Sequence, residues 1–139
     1  MRRTPSQHAP AGALEDDLEL ARLEAALDLR GADIRKALQE QPDLYYRGAL
    51  AAARLASQVD AAECEVTSAE ARVENALREA NRDRHEPLSD EHIARRVAQN
   101  IEFARARRHA GELRRKLLLA RALEEALVQR MRALEALGA

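Results

Sequence analysis

The chain has 139 residues, 46 % hydrophobic but only 2 % aromatic, with 23 basic and 24 acidic side chains for a formal net charge of −1. That length suits one domain, and three aromatic residues, Tyr45, Tyr46 and Phe103, supply little volume for a conventional compact core. Richness in Ala, Leu, Arg and Glu at heptad spacing marks long helices and coiled coils, whereas a disordered chain lacks a periodic apolar face.

Residues 1–13 carry Arg2, Arg3, Pro5, Pro10 and Gly12 without an apolar stretch, which reads as a disordered arm and not as a secretory signal. One all-helical domain is expected over residues 14–139. Its first helix, about 14–30, is acidic, with Glu15, Asp16 and Asp17 suited to a helix N-terminus. After Gly31 a short helix is expected at 33–40, ended by Pro42, which disfavours helix at Gln41 and sits well at a helix start. Tyr45, Tyr46 and Arg47 then read as packing and capping residues.

A long helix follows, about 43–81. Its signature is a ladder of small apolar residues in alternating steps of four and three: Leu55, Val59, Ala62, Val66, Ala69, Val73, Ala76 and Ala80. Such a ladder is the seam on which a second long helix packs. The stretch Arg82 to Pro87 breaks the pattern, and a short connection makes the flanking helices antiparallel neighbours. Ser89 is a good N-cap, Asp90 and Glu91 put negative charge in the first turn, and Leu88 and Ile93 stand at hydrophobic-staple spacing. The last helix is expected to run unbroken over 90–137, through Val97, Ile101, Ala104, Ala110, Leu113 and Leu117. Folding the hairpin near Glu86 sets Val59 level with Leu113, Leu55 with Leu117, and Pro42 with Arg130.

An Ala-rich two-helix seam buries little apolar area, because each Ala contributes much less than a Leu. Leu118, Leu119, Leu123 and Val128 lie off the seam, and a helix apolar on more than one face needs more than one partner. The expectation is a homo-oligomer joined through Leu113, Leu117, Leu118, Leu123, Leu127, Val128, Met131 and Leu134.

Charge gives the functional lead. Between Arg95 and Arg121 stand nine basic residues, Arg95, Arg96, Arg105, Arg107, Arg108, Arg114, Arg115, Lys116 and Arg121, against two acids. On a continuous helix Arg96, Arg107, Arg114 and Arg121 fall near one line, extended by Arg132. Such a stripe matches a phosphate backbone, bound through counterion release and guanidinium forks. With so few aromatics, binding is expected to be electrostatic and poorly sequence-specific. The competing reading pairs these bases with Asp60, Glu63, Glu65, Glu70 and Glu74 as flanking charges of a coiled coil. Other chemistry is sparse. His8, His85, His92 and His109 show no metal spacing, and no phosphate loop or nucleophile motif is present, so neither an enzyme nor a cofactor is expected. Cys64, the single cysteine, fits a reducing compartment, and no apolar run is long enough for a membrane span.

The order of these elements resembles the UvsY-like recombination mediator proteins of tailed phages. The similarity covers most of residues 14–137. It comprises the acidic first helix, the start at Pro42, Asp43 and Leu44, Arg47, the restart at Ser89 and Asp90, and the closing stretch Leu127, Arg130, Met131, Arg132, Ala133, Glu135 and Ala136. Where that family has a basic, tyrosine-rich stretch with a glycine, this chain reads Arg72, Val73, Glu74, Asn75, Ala76, Leu77, Arg78, leaving Arg72 and Arg78 as the positions carried over. The resemblance implies a ring-like oligomer in the cytoplasm of a bacterial host. It also implies binding to single-stranded DNA and help for a RecA-like recombinase in displacing a single-strand-binding protein. The alternative is a non-enzymatic coiled-coil adaptor, or a phage assembly or scaffold protein, that binds no nucleic acid.

Overall fold

The computed structural model describes residues 11–138, and the remainder of the expected arm lies outside them. Four helices, α1 (Ala11–Ala26), α2 (Ile34–Arg82), α3 (Asp90–Gln99) and α4 (Ile101–Gly138), make up an all-α fold with no strand among the described residues. The long helices α2 and α4 pack together as a hairpin. Gln41 meets Leu127, Glu63 meets Arg114 and Arg72 meets Glu102, all close to the expected register.

The first helix spans Ala11–Ala26 where 14–30 was expected, so residues 11–13 of the expected arm are helical, and two further boundaries differ from expectation. Residues 33–40 and 43–81 form one helix, with Pro42 inside it. Proline removes one helical hydrogen bond and crowds the preceding turn. The helix continues because tertiary contacts hold both sides of that point. Ala37 and Gln41 are buried, and the Gln41 side-chain amide donates to the Leu127 carbonyl of α4 at 2.9 Å. Asp33 starts the helix: its side chain accepts from the Lys36 amide and its carbonyl from the Ala37 amide.

The expected 90–137 helix is instead two, broken at Asn100. This residue is extended (φ −68°, ψ 133°), and its amide closes α3 on the Val97 carbonyl. Its side-chain oxygen accepts from the amides of Glu102 and Phe103 and so caps α4. The extra extended residue resets the helical phase. Ile101, expected on the seam, is 66 % exposed, while Phe103 turns inward at 8 %.

The chain divides into two compact units, one comprising residues up to Arg54 and from Leu118, the other Leu55–Leu117. In the first, Leu20 and Leu23 of α1 are buried, as are Leu123, Leu127 and Leu134 of α4. Gly48 of α2 permits this packing, since a Cβ there would stand 2.8 Å from Leu127 Cδ1. Arg130 of α4 is 7 % exposed and holds only neutral oxygens among the described residues. It donates through Nε to the Ala26 carbonyl (2.8 Å) and through Nη1 to the Ala37 carbonyl and to Gln41 Oε1. Ala26 ends α1, so the guanidinium satisfies an orphan carbonyl at the negative end of the helix dipole. The turn after α1 needs a left-handed residue, and Gly31 at φ +67° supplies it without steric cost.

In the second unit the ladder is buried at Leu55, Val59, Ala62, Ala69 and Val73. Its last two rungs leave the seam: Ala76 and Ala80 are exposed, and Leu77 instead packs on the cluster of Val73, Ile93, Val97 and Phe103. The hairpin turn forms where expected. Ser89 Oγ accepts from the His92 amide, and Leu88 and Ile93 join the same cluster as the staple requires.

Candidate nucleic-acid interface

The basic residues separate into two groups by what they touch. Arg72 lies between two carboxylates, with Nη2 at 2.8 Å from Glu65 and 2.6 Å from Glu102. Arg78 binds Glu74 at 2.9 Å and Asp90 at 3.2 Å. Hydrogen bonds donated to these acids, Glu65 then Glu102 by Arg72 and Glu74 then Asp90 by Arg78, raise both guanidinium pKa values. Glu102 and Asp90 stand in the first turns of α4 and α3. The two arginines therefore tie α2 to the starts of the helices that cross it. These were the two positions carried over by resemblance, and their donors are engaged within the chain.

The basic run itself is differently placed. Arg114 Nε donates to Glu63 Oε1 of α2 at 2.8 Å. Glu65 and Glu74 turn to Arg72 and Arg78 on their own helix. Arg95, Arg96, Arg105, Arg108 and Arg115 are exposed and pair with no acid among the described residues. Arg107 lies over the Phe103 ring, 5.6 Å from its centroid, a cation–π contact that leaves the guanidinium edge without a carboxylate. Lys116 is half-buried.

Val66 of α2, Ala98 of α3 and Ala104, Arg107, Arg108 and Arg114 of α4 line a cleft of about 480 Å³. No carboxylate is among its lining residues. Three guanidinium groups beside small apolar side chains suit a phosphate or another oxyanion. Because Asn100 resets the helical phase, Arg96 of α3 does not continue the line of Arg107 and Arg114. Arg121 and Arg132 belong to the first unit and are exposed. The missed break had a legible signal: an Asn with Glu102 two residues on is a good helix start.

The expected oligomer residues also separate. Leu113, Leu117, Leu123, Leu127 and Leu134 are buried within the single chain. Gly48 of α2 brings the backbone close enough for Leu127 of α4 to fill the space. Leu118 and Met131 are exposed and Val128 is half-buried. Tyr45 and Tyr46, expected to pack, are 48 % and 64 % exposed, while Arg47 pairs with Glu19 at 2.8 Å. Among the described residues no group of three or more His, Cys, Asp or Glu side chains is placed to hold a metal, and no helix is long and apolar enough to cross a membrane. Compared with protein-family models, curated proteins and solved structures, the chain matches none.

Proposed function

We propose that this chain is a non-catalytic binding protein for single-stranded nucleic acid, gripping the phosphate backbone with the arginines of α3 and α4. One observation carries the reading: exposed Arg95, Arg96, Arg105, Arg108 and Arg115 have no acidic partner among the described residues, although α2 offers acids nearby. A coiled coil that used these charges only for its own pairing would neutralise them. A polyanion neutralises them instead, releasing its condensed counterions.

The resemblance in layout supplies the finer form of the proposal. In that form the chain is a recombination mediator of phage type, acting as a homo-oligomer in the host cytoplasm. It loads a RecA-like recombinase onto single-stranded DNA in place of a single-strand-binding protein. Several copies around one strand would multiply weak phosphate contacts into avidity. Exposed Leu118, Leu119, Met131 and Leu137 are α4 side chains that remain for self-association.

Intrachain pairing of Arg72, Arg78 and Arg114 favours a second reading, an adaptor or scaffold that binds no nucleic acid. Salt separates the two. Fluorescence anisotropy with a labelled poly-dT oligonucleotide is expected to show tight binding at low salt that falls steeply at moderate salt. Replacing Arg107, Arg108 and Arg115 with Gln is expected to cost about a hundredfold at low salt with helix content unchanged. Absence of binding by the wild-type protein at low salt overturns the proposal in favour of the adaptor.

A further inference from the structure

Two glycines lie deep inside the long helices, where each costs stability relative to alanine because it gives up more backbone freedom. Gly48 has a reason within the chain, because a Cβ there would collide with Leu127. Gly111 has none: a Cβ built on it meets nothing within 4 Å beyond its own helix backbone. Its surroundings on α4 are specific. Residues three and four positions away are surface neighbours on a helix. At those four positions Gly111 has Arg107, Arg108, Arg114 and Arg115.

All four arginines are exposed. Three of them line the cleft beside Ala104. Arg108 and Arg115 hold no carboxylate among the described residues, and Arg114 commits one nitrogen, Nε, to Glu63. Four like charges around one point repel each other by the same rule that makes like-charged pairs unfavourable on a helix. A glycine beneath them adds a second local cost. Both costs fall on the same two turns, and an anion seated there offsets both.

We propose that Gly111 is the seat of a phosphodiester group, where the missing side chain lets the ligand backbone approach the helix surface between four guanidinium groups. Its helical amide is engaged in the backbone ladder, so the glycine contributes clearance and the arginines contribute the hydrogen bonds. The inference rests on the nucleic-acid reading and deepens it. It assigns the contact to phosphate, independent of base identity, and it makes steric access to the helix surface part of affinity.

The test substitutes Gly111 with Ala and with Leu, both strong helix formers, and measures poly-dT binding by anisotropy alongside thermal unfolding. Gly111→Ala is expected to raise the melting midpoint by about 2–5 °C and weaken binding about threefold. Gly111→Leu is expected to weaken it about tenfold. Ala61→Leu, on an exposed position of α2, is expected to leave affinity unchanged. Replacing poly-dT with poly-dA should preserve the order of the variants. If Gly111→Ala and Gly111→Leu bind as tightly as a wild-type protein whose affinity falls with salt, the seat is overturned while the proposed function stands. If Ala61→Leu weakens binding as much as Gly111→Leu, the seat is likewise overturned. If the wild-type protein does not bind at low salt, the seat falls together with the function.

Discussion

In the first unit the pairing of α2 with α4 closes over a buried guanidinium, Arg130, whose partners are two backbone carbonyls and Gln41. In the second, α2 is braced at the surface against α4 by Arg72 and against α3 by Arg78, each about half exposed and each shared between two carboxylates. The glycines follow the same division: Gly48 serves close packing, while Gly111 opens to space. Buried polar groups with complete partners fix one arrangement, because losing any partner leaves an unsatisfied group out of water. Exposed ion pairs hold geometry more loosely and weaken with salt. The first unit therefore relies on a buried, fully partnered polar group where the second relies on exposed ion pairs.

Removing the buried clasp should have the largest effect. Arg130→Ala leaves the Ala26 carbonyl and Gln41 Oε1 without their donor and is expected to cost about 3 kcal/mol by urea unfolding. A loss below about 0.5 kcal/mol, the scale of an ordinary surface change, would remove the contrast between the units. Gly48→Ala comes next. The added methyl gains helix propensity but must displace Leu127, which has no exposed surface to move into. A net loss of about 1–2 kcal/mol is expected, opposite in sign to the change at Gly111. If both glycine variants stabilise, Gly48 is not a packing residue.

Asn100→Ala should cost about 1 kcal/mol through the lost cap. Hydrogen exchange in the first turn of α4 is expected to rise, with α1 unaffected. An equal rise in α1 would mean that the two units do not respond separately. The smallest effect concerns Asp28, whose carboxyl is held below its ordinary pKa by the Arg30 side chain and then by the Arg30 amide. Its folded pKa is lowered, so its contribution is full above the ordinary carboxylate value of about 4 and is lost as pH falls through the lowered value. The pair is exposed, so the contribution is small and screened by salt. Asp28→Asn is expected to lower the melting midpoint slightly at pH 7, with the difference vanishing in acid. A difference that persists in acid would show that the contribution of Asp28 does not come from its ionised carboxylate.

Periodicity and capping are local properties, and the sequence by itself determined what depends on them. It placed the hairpin turn after Arg82, the Ser89 cap with its Leu88–Ile93 staple, the seam from Leu55 to Val73 and the register between α2 and α4. Its concentration of arginine after Arg95 was equally plain. Tertiary structure decided the rest, because each remaining question turned on distances between helices. Pro42 continues the helix because Gln41 is anchored on α4. Phe103 displaces Ile101 from the core because Asn100 resets the helical phase. Leu113, Leu117, Leu123, Leu127 and Leu134 of α4 are interior, and Leu127 fits because α2 presents Gly48 to it. Which arginines are committed and which remain open depends on where each carboxylate comes to lie, and spacing along one chain does not specify that.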